Sequence, residues 1–299
     1  MFFTDAYRAF RRGERMLALR YLLLSIIAIA LVALPAGFWM LRRFERSATF
    51  HPERAAVGRL WRLPAGAEEV WFKASDGLRL YGWLFHTRGG AARATVIYFH
   101  GNGGNLSYCD WVGTELAARG FDVLLFDYRG YGRSEGEPVG ERELYADADA
   151  AYDFVTNERG VAPNKLVLYG QSLGTAAAID VASRRECGAL VVESGLSSAA
   201  DMAGAIMPWL PRFVRGMTKN KLDSVSKIPR VACPVLVVHG GRDELIPAEQ
   251  GQKLYDAARA PKHLKMIGGA GHNDLSNVGG EEYFDSLAGF VRDPLRPVL

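Results

Sequence analysis

A serine between glycines in Gly170-Gln171-Ser172-Leu173-Gly174, an aspartate in His239-Gly240-Gly241-Arg242-Asp243 and a histidine in Gly271-His272-Asn273-Asp274 are together the parts of a nucleophilic catalyst. A serine hydroxyl is a weak nucleophile at neutral pH, so it needs an adjacent base, and the base needs a third group to orient its ring. Ser172 is the candidate nucleophile, His272 the base and Asp243 the orienting acid. Each has an ordinary alternative when taken singly: a turn serine, a loop histidine, or an aspartate capping a helix that starts near Pro247. What joins the three is that each follows a short apolar run, in the order serine, aspartate, histidine. The other histidines fit less well, since His51 lies in the segment before the domain, His86 at the end of the opening pair of runs, and His239 and His263 within or at the start of apolar runs. Glu193, at the end of another run, is the second candidate for the acid, and Asp274 is too near His272 in sequence to orient it.

The tetrahedral intermediate of acyl transfer also needs N–H donors aimed at its oxyanion. "FHGNGGN", Phe99 to Asn105, follows an apolar run with small residues that leave backbone amides open. The amide of Asn102 is assigned as one oxyanion donor and that of Leu173, just after the nucleophile, as the other. His100 is expected to brace this loop rather than transfer a proton.

These residues require a scaffold. "EEVWFKAS" and "LRLYGWLFH" flank Asp76-Gly77, the signature of a hairpin. The runs "ATVIYFH", "DVLLFDY", "KLVLYG", "ALVVESG", "PVLVVHG" and "HLKMIGG" follow, separated by segments of helical spacing such as Glu141 to Glu158 and Thr175 to Arg185. Near-continuous Val/Ile/Leu runs mark strands covered on both faces, as in a parallel sheet. The expected architecture over 67–299 is a single α/β domain: a mostly parallel, doubly wound sheet with an antiparallel start. Its ligands belong beyond the carboxyl ends of the strands. Residues 195–233 make an unusually long connection, read as a small cap of one or two helices or as a loose crossover.

Ahead of the domain, "YLLLSIIAIALVALPAGFWML" (21–41) has no charge and is close to the ~20 residues a helix needs to cross a bilayer. It is read as a single transmembrane anchor, after a basic tail (1–20) and before a tether (42–66). A buried core helix would keep a polar stripe, and a cleaved signal peptide would have a shorter apolar region and a better cleavage site than "LPAG". Arginines on both sides leave the orientation to a second consideration. A short arginine-rich tail is hard to export while long domains translocate regardless of charge, which favours a domain outside the cytoplasm.

Of the 299 residues, 49% are hydrophobic and 23% charged, the balance of a globular protein with a large core. A net charge of +3 without basic–aromatic tracts argues against nucleic acid as a partner. Cys109, Cys187 and Cys233 are far apart in sequence and lack metal-ligand spacing, so they are read as small buried hydrophobes, with no metal or organic cofactor expected.

In order along the chain, "YFHGNGGN", "DYRGYGRSEGEP", "YGQSLG", "CPVLVVHGGRDELIP" and "GAGHNDL" resemble the α/β-hydrolase superfamily from about Ala67 onward. The resemblance is strongest to membrane-anchored serine hydrolases with an HGNxGN oxyanion loop, including α/β-hydrolase-domain proteins with depalmitoylase members. It implies the α/β-hydrolase fold and a serine hydrolase that cleaves acyl esters or thioesters, of small-molecule or lipid-like substrates, through an acyl-enzyme. A serine peptidase or amidase on the same triad is the alternative. A non-catalytic tethered binding module would be marked by a broken triad. Asp127, Arg129 and Gly130 resemble a family turn that supports the site's floor. Gln171, where arginine or histidine is common in the family, leaves specificity open.

Overall fold

Asp76-Gly77 closes the first hairpin because Gly77 takes a left-handed φ of 88°, and the turn is sealed by bonds from Gly77 N to Ala74 O and from Ala74 N to Leu78 O. The structure, a computed structural model, describes residues 4–5, 7, 15–55, 61–259 and 261–294. Arg8, Arg11 and Arg12 of the basic tail, and Arg59, lie outside the described residues. The chain divides into two units, Met1–Ala48 and Thr49–Leu299.

In the second unit the strands are β1 (His51–Pro52), β2 (Ala67–Lys73), β3 (Arg79–Phe85), β4 (Thr95–Phe99), β5 (Gly103–Gly104), β6 (Asp122–Phe126), β7 (Leu166–Gln171), β8 (Ala189–Glu193), β9 (Val235–Gly240) and β10 (Lys262–Ile267). Eight of them form one sheet in the order β10-β9-β8-β7-β4-β6-β3-β2. β2, β3 and β6 meet antiparallel, and the remaining neighbours are parallel. The opening hairpin and the six apolar runs are therefore all strands of one sheet.

The period-2 alternation of side chains explains why these runs are apolar throughout. Ile97, Phe99, Leu166 and Leu168 enter one core, covered by the helices Glu141–Asp153 (α3), Leu173–Ala182 (α4) and Ala248–Ala257 (α8). Val96, Tyr98, Val167 and Tyr169 enter the other, under Asp110–Ala118 (α2) and Leu275–Arg292 (α9). Each such fully buried aliphatic contributes roughly 1.5–3 kcal/mol, so both faces of the central strands must be shielded. The segment read as helical over 141–158 is α3 followed by a wider turn at Phe154–Glu158.

The connection over 195–233 holds three short α-helices, Ala199–Ile206 (α5), Arg212–Arg215 (α6) and Ser224–Lys227 (α7), and a 3-10 turn at Ile228–Arg230, rather than one or two helices. Pro208 and Pro211 account for the break between α5 and α6, because proline disfavours helix in the residue before it and supplies no N–H.

At the front, Arg15–Thr49 (α1) is one helix, and its apolar part is long enough to cross a bilayer. It runs eight residues past Leu41, because "RRFERSAT" has neither glycine nor proline and Arg42 pairs with Glu45 one turn on. The tether expected over 42–66 differs accordingly: helix continues to Thr49, and β1 then pairs in parallel with β5.

The cysteines also depart from their reading as separate hydrophobes. Cys187 and Cys233 precede the neighbouring strands β8 and β9, and their Sγ atoms lie 3.0 Å apart as free thiols. Strands adjacent in the sheet bring together residues remote in sequence.

Candidate active site

β7 ends at Gln171 and α4 begins at Leu173, leaving Ser172 alone to turn the chain. Its φ of 53° and ψ of −121° are unusual for a residue with a Cβ and cost about 1–3 kcal/mol. Crowding shows why glycines flank it: a Cβ on Gly174 would lie 1.9 Å from Phe99 O, and one on Gly170 would lie 2.6 Å from Gly174 O. The serine itself is held by bonds from its N–H to Glu193 O and from Thr175 N and Oγ1 to its carbonyl.

Three distant segments meet above this turn. His272 Nε2 lies 2.9 Å from Ser172 Oγ, and His272 Nδ1 lies 2.8 Å from Asp243 Oδ2. All three side chains are buried. The loop bearing His272 follows β10 and that bearing Asp243 follows β9. Glycine lets them touch, since a Cβ on Gly240 would lie 2.3 Å from Gly271 O. Asp274 has a local task there, its Oδ1 accepting the Gly271 amide.

The Asp243 carboxylate is fully used. Oδ1 accepts the amides of Leu245 and Ile246, at 3.0 and 2.8 Å, so the helix-entry role considered for this residue and its meeting with His272 coexist on different oxygens. Burial works against its charge, but His239, His272 and the Ile246 amide outweigh it and hold the carboxyl well below the usual carboxylate range. His239 was discounted in the sequence because it lies inside a strand. It is nevertheless the last but one residue of β9, at the carboxyl end, and its Nε2 sits 3.3 Å from Asp243 Oδ2 while bonding Ile246 O at 2.9 Å. A carbonyl only accepts, so Nε2 carries the proton and a second imidazole N–H faces the carboxylate. The available signal was its position four residues before Asp243 at a strand terminus.

Glu193, the second candidate for the acid, does not reach His272. Its Oε2 accepts the hydroxyls of Tyr169 and Tyr283 in a fully buried cluster, and burial raises its pKa.

The loop after β4 runs beside Ser172: a Cβ on Gly101 would lie 2.7 Å from Gln171 Oε1 and 3.4 Å from Ser172 Cβ. Asn102 is pinned on both sides. The carbonyl of the preceding peptide, Gly101 O, accepts from His100 Nδ1 at 2.7 Å, and Asn102 O accepts from Tyr131 Oη at 2.8 Å and His51 N at 2.9 Å. Its own N–H donates to no backbone acceptor among the described residues. Leu173, first in its helix, has no helical carbonyl four residues back to bond. Burial pulls the His100 ring down to about 4, so it stays neutral near pH 7 and acts as a brace.

Beneath lies the turn that bears Asp127, Arg129 and Gly130. Arg129 binds Asp147 through Nε and Nη2 and Asp76 through Nη1. Asp127 Oδ1 accepts the Leu106 amide at 2.7 Å, and burial pushes its carboxyl up to about 8. Gly130 adopts a φ of 84°. Among the described residues no cluster of three or more His, Cys, Asp or Glu side chains is placed to hold a metal ion.

The family model described as serine aminopeptidase, S33, matches residues 90–223. An uncharacterized protein of Mycobacterium tuberculosis is 38% identical over 232 residues, covering 77% of this chain and 81% of that protein. Alpha/beta hydrolase domain-containing protein 17C of Mus musculus is 34% identical over 232 residues, covering 77% of this chain and 69% of its own. Among solved structures, an esterase of Pyrococcus furiosus superposes with a TM-score of 0.67 at 23% identity over 82% of this chain and 97% of that one, a likeness of fold.

Proposed function

This chain belongs to the α/β-hydrolase superfamily, and from that premise we propose that it is a membrane-anchored serine hydrolase that cleaves acyl esters or thioesters. The observation that carries the reading is the row Ser172 Oγ, His272 Nε2, His272 Nδ1, Asp243 Oδ2, with spacings of 2.9 and 2.8 Å. Ser172 Oγ attacks the acyl carbon as His272 Nε2 takes the hydroxyl proton, and Asp243 holds the ring in the Nδ1–H tautomer and stabilises the imidazolium. The amides of Asn102 and Leu173 receive the negative charge that develops on the carbonyl oxygen. His272 returns its proton to the leaving alkoxide or thiolate, which departs and leaves an acyl-serine. Water, deprotonated by the same ring, then releases the acid.

A lipophilic acyl group suits the chain. Ile206, Trp209, Phe213 and Met217 of the cap are 64%, 76%, 75% and 61% exposed, which supports an apolar ligand at the cap. The apolar α1 supplies the membrane attachment, with the hydrolase domain outside the cytoplasm because the arginine-rich tail resists export.

A fluorophosphonate probe tests the chemistry. The wild type is expected to be labelled and Ser172→Ala is not, while an unlabelled wild type would overturn the reading. The S33 family description supports a second reading, cleavage of amides by the same residues. Matched p-nitrophenyl acetate and octanoate beside a panel of aminoacyl p-nitroanilides separates the two. Preference for octanoate is expected, and turnover confined to the anilides would favour the peptidase.

A further inference from the structure

The segment that leaves α1 is built into the wall of the candidate site. Phe50 lies in the core of the second unit. His51 N donates to Asn102 O at 2.9 Å and Glu53 N to Gly104 O at 3.0 Å, so the segment pairs with the loop after β4. Gly132 N donates to Glu53 O at 2.9 Å and Ala55 N to Gly132 O at 3.0 Å, so it also pairs with the turn after β6. Side chains lock both attachments. Arg54 donates to Ser134 O at 2.6 Å and to Gly136 O, and Glu53 Oε2 accepts the Tyr108 hydroxyl at 2.8 Å. Asn105 Nδ2 adds a bond to Glu53 O.

We propose that residues 50–55 are a positioning strap for the oxyanion loop, holding Asn102 so that its amide is aimed at the reacting carbonyl oxygen. This rests on the reading above, in which the Asn102 amide is an oxyanion donor. The need for a strap follows from composition. Three of the four residues from Gly101 to Gly104 are glycines, the last with a φ of 75°, and such a run does not hold one conformation unaided. An oxyanion donor works only if it is aimed before the charge appears. Of the two donors to Asn102 O, one is the Tyr131 hydroxyl and the other is the His51 N–H. The chain emerging from the apolar helix is therefore part of the site's framework, and Phe50 alone separates that helix from β1.

The test uses the full chain in detergent micelles with a soluble p-nitrophenyl ester. His51→Pro deletes the N–H that bonds Asn102 O, and it is expected to lower kcat by about 10- to 100-fold with KM within about twofold, a fraction of the loss seen when a whole oxyanion donor is removed. His51→Ala keeps the N–H and is expected to recover that loss to within about threefold of wild type. Arg54→Ala, which removes the side-chain bonds to Ser134 O and Gly136 O while the backbone pairing with Gly132 remains, is expected to lower kcat by about threefold, less than His51→Pro, and Arg54→Lys to recover part of it. Hydrogen exchange at residues 101–105 should accelerate in His51→Pro and Arg54→Ala. Unchanged exchange, or faster exchange with unchanged kcat, overturns the strap. If the wild type takes no fluorophosphonate label, the hydrolase reading fails by itself, and the exchange measurement still decides whether the strap orders the loop.

Discussion

Asp243→Asn isolates one atom of the proposed mechanism. Oδ1 of Asp243 faces two N–H donors, Leu245 and Ile246, so an asparagine must keep its carbonyl oxygen there. Its NH2 group is then forced into the position of Oδ2, facing His272 Nδ1 at 2.8 Å and His239 Nε2 at 3.3 Å. A donor opposite Nδ1 drives the ring proton onto Nε2, where it points at Ser172 Oγ and the ring can no longer accept the hydroxyl proton. The negative charge that would stabilise the imidazolium is lost as well. The expected fall in kcat is about 10⁴-fold, or about 5 kcal/mol in the barrier. Stopped-time hydrolysis of a p-nitrophenyl ester measures it, with circular dichroism to verify the fold. Glu193→Gln is the internal comparison, since that carboxyl bonds Tyr169 and Tyr283 and not the histidine; its kcat is expected within about threefold of wild type. Retention of more than about a tenth of the rate by Asp243→Asn, or an equal loss in Glu193→Gln, refutes this role for Asp243.

Three further outcomes are expected. Gly174→Ala puts a methyl 1.9 Å from the backbone oxygen of Phe99, an overlap no side chain can relieve. It should cost at least about 3 kcal/mol, which for a domain of this size lowers the melting temperature by roughly 6–12 °C. Asp127, raised to about 8 by burial, favours the fold in its neutral form. Its contribution is complete below the ordinary carboxylate range near 4 and is lost as pH rises through about 8. Between about pH 6.5 and 8, above the range where the neighbouring His100 titrates, the wild type should lose about 2 kcal/mol of stability that Asp127→Asn does not lose, read by denaturant melts. Finally, a glutathione disulfide buffer should take two electrons and two protons from the thiols of Cys187 and Cys233 to form one intramolecular disulfide, given their 3.0 Å separation. Cys109, whose thiol burial pushes up to about 12, should remain free, and alkylation with mass spectrometry distinguishes the three.

The runs of Val, Ile and Leu and the Asp76-Gly77 turn were enough to read the strands and the covered sheet, because side-chain period and turn chemistry are local properties of a chain. The crowding at Gly170, against Gly174 and Thr175, is local in the same sense, whereas that at Gly174 is against Phe99 of the neighbouring strand β4. The proline-broken cap and the helix beyond Leu41 were harder, since where a helix stops depends on what packs against it. The order of the residues puts Asp243 ahead of Glu193 as the partner of His272, but the contact itself is made only in the folded sheet, where Glu193, the last residue of β8, turns to two tyrosines and Asp243, three residues beyond the end of β9, turns to two histidines. His239, the meeting of Cys187 with Cys233 and the grip of residues 51–55 on Asn102 belong to the same class. Each joins residues through the order and register of neighbouring strands, and that order is set by the burial of the whole core and is written in no single stretch of chain.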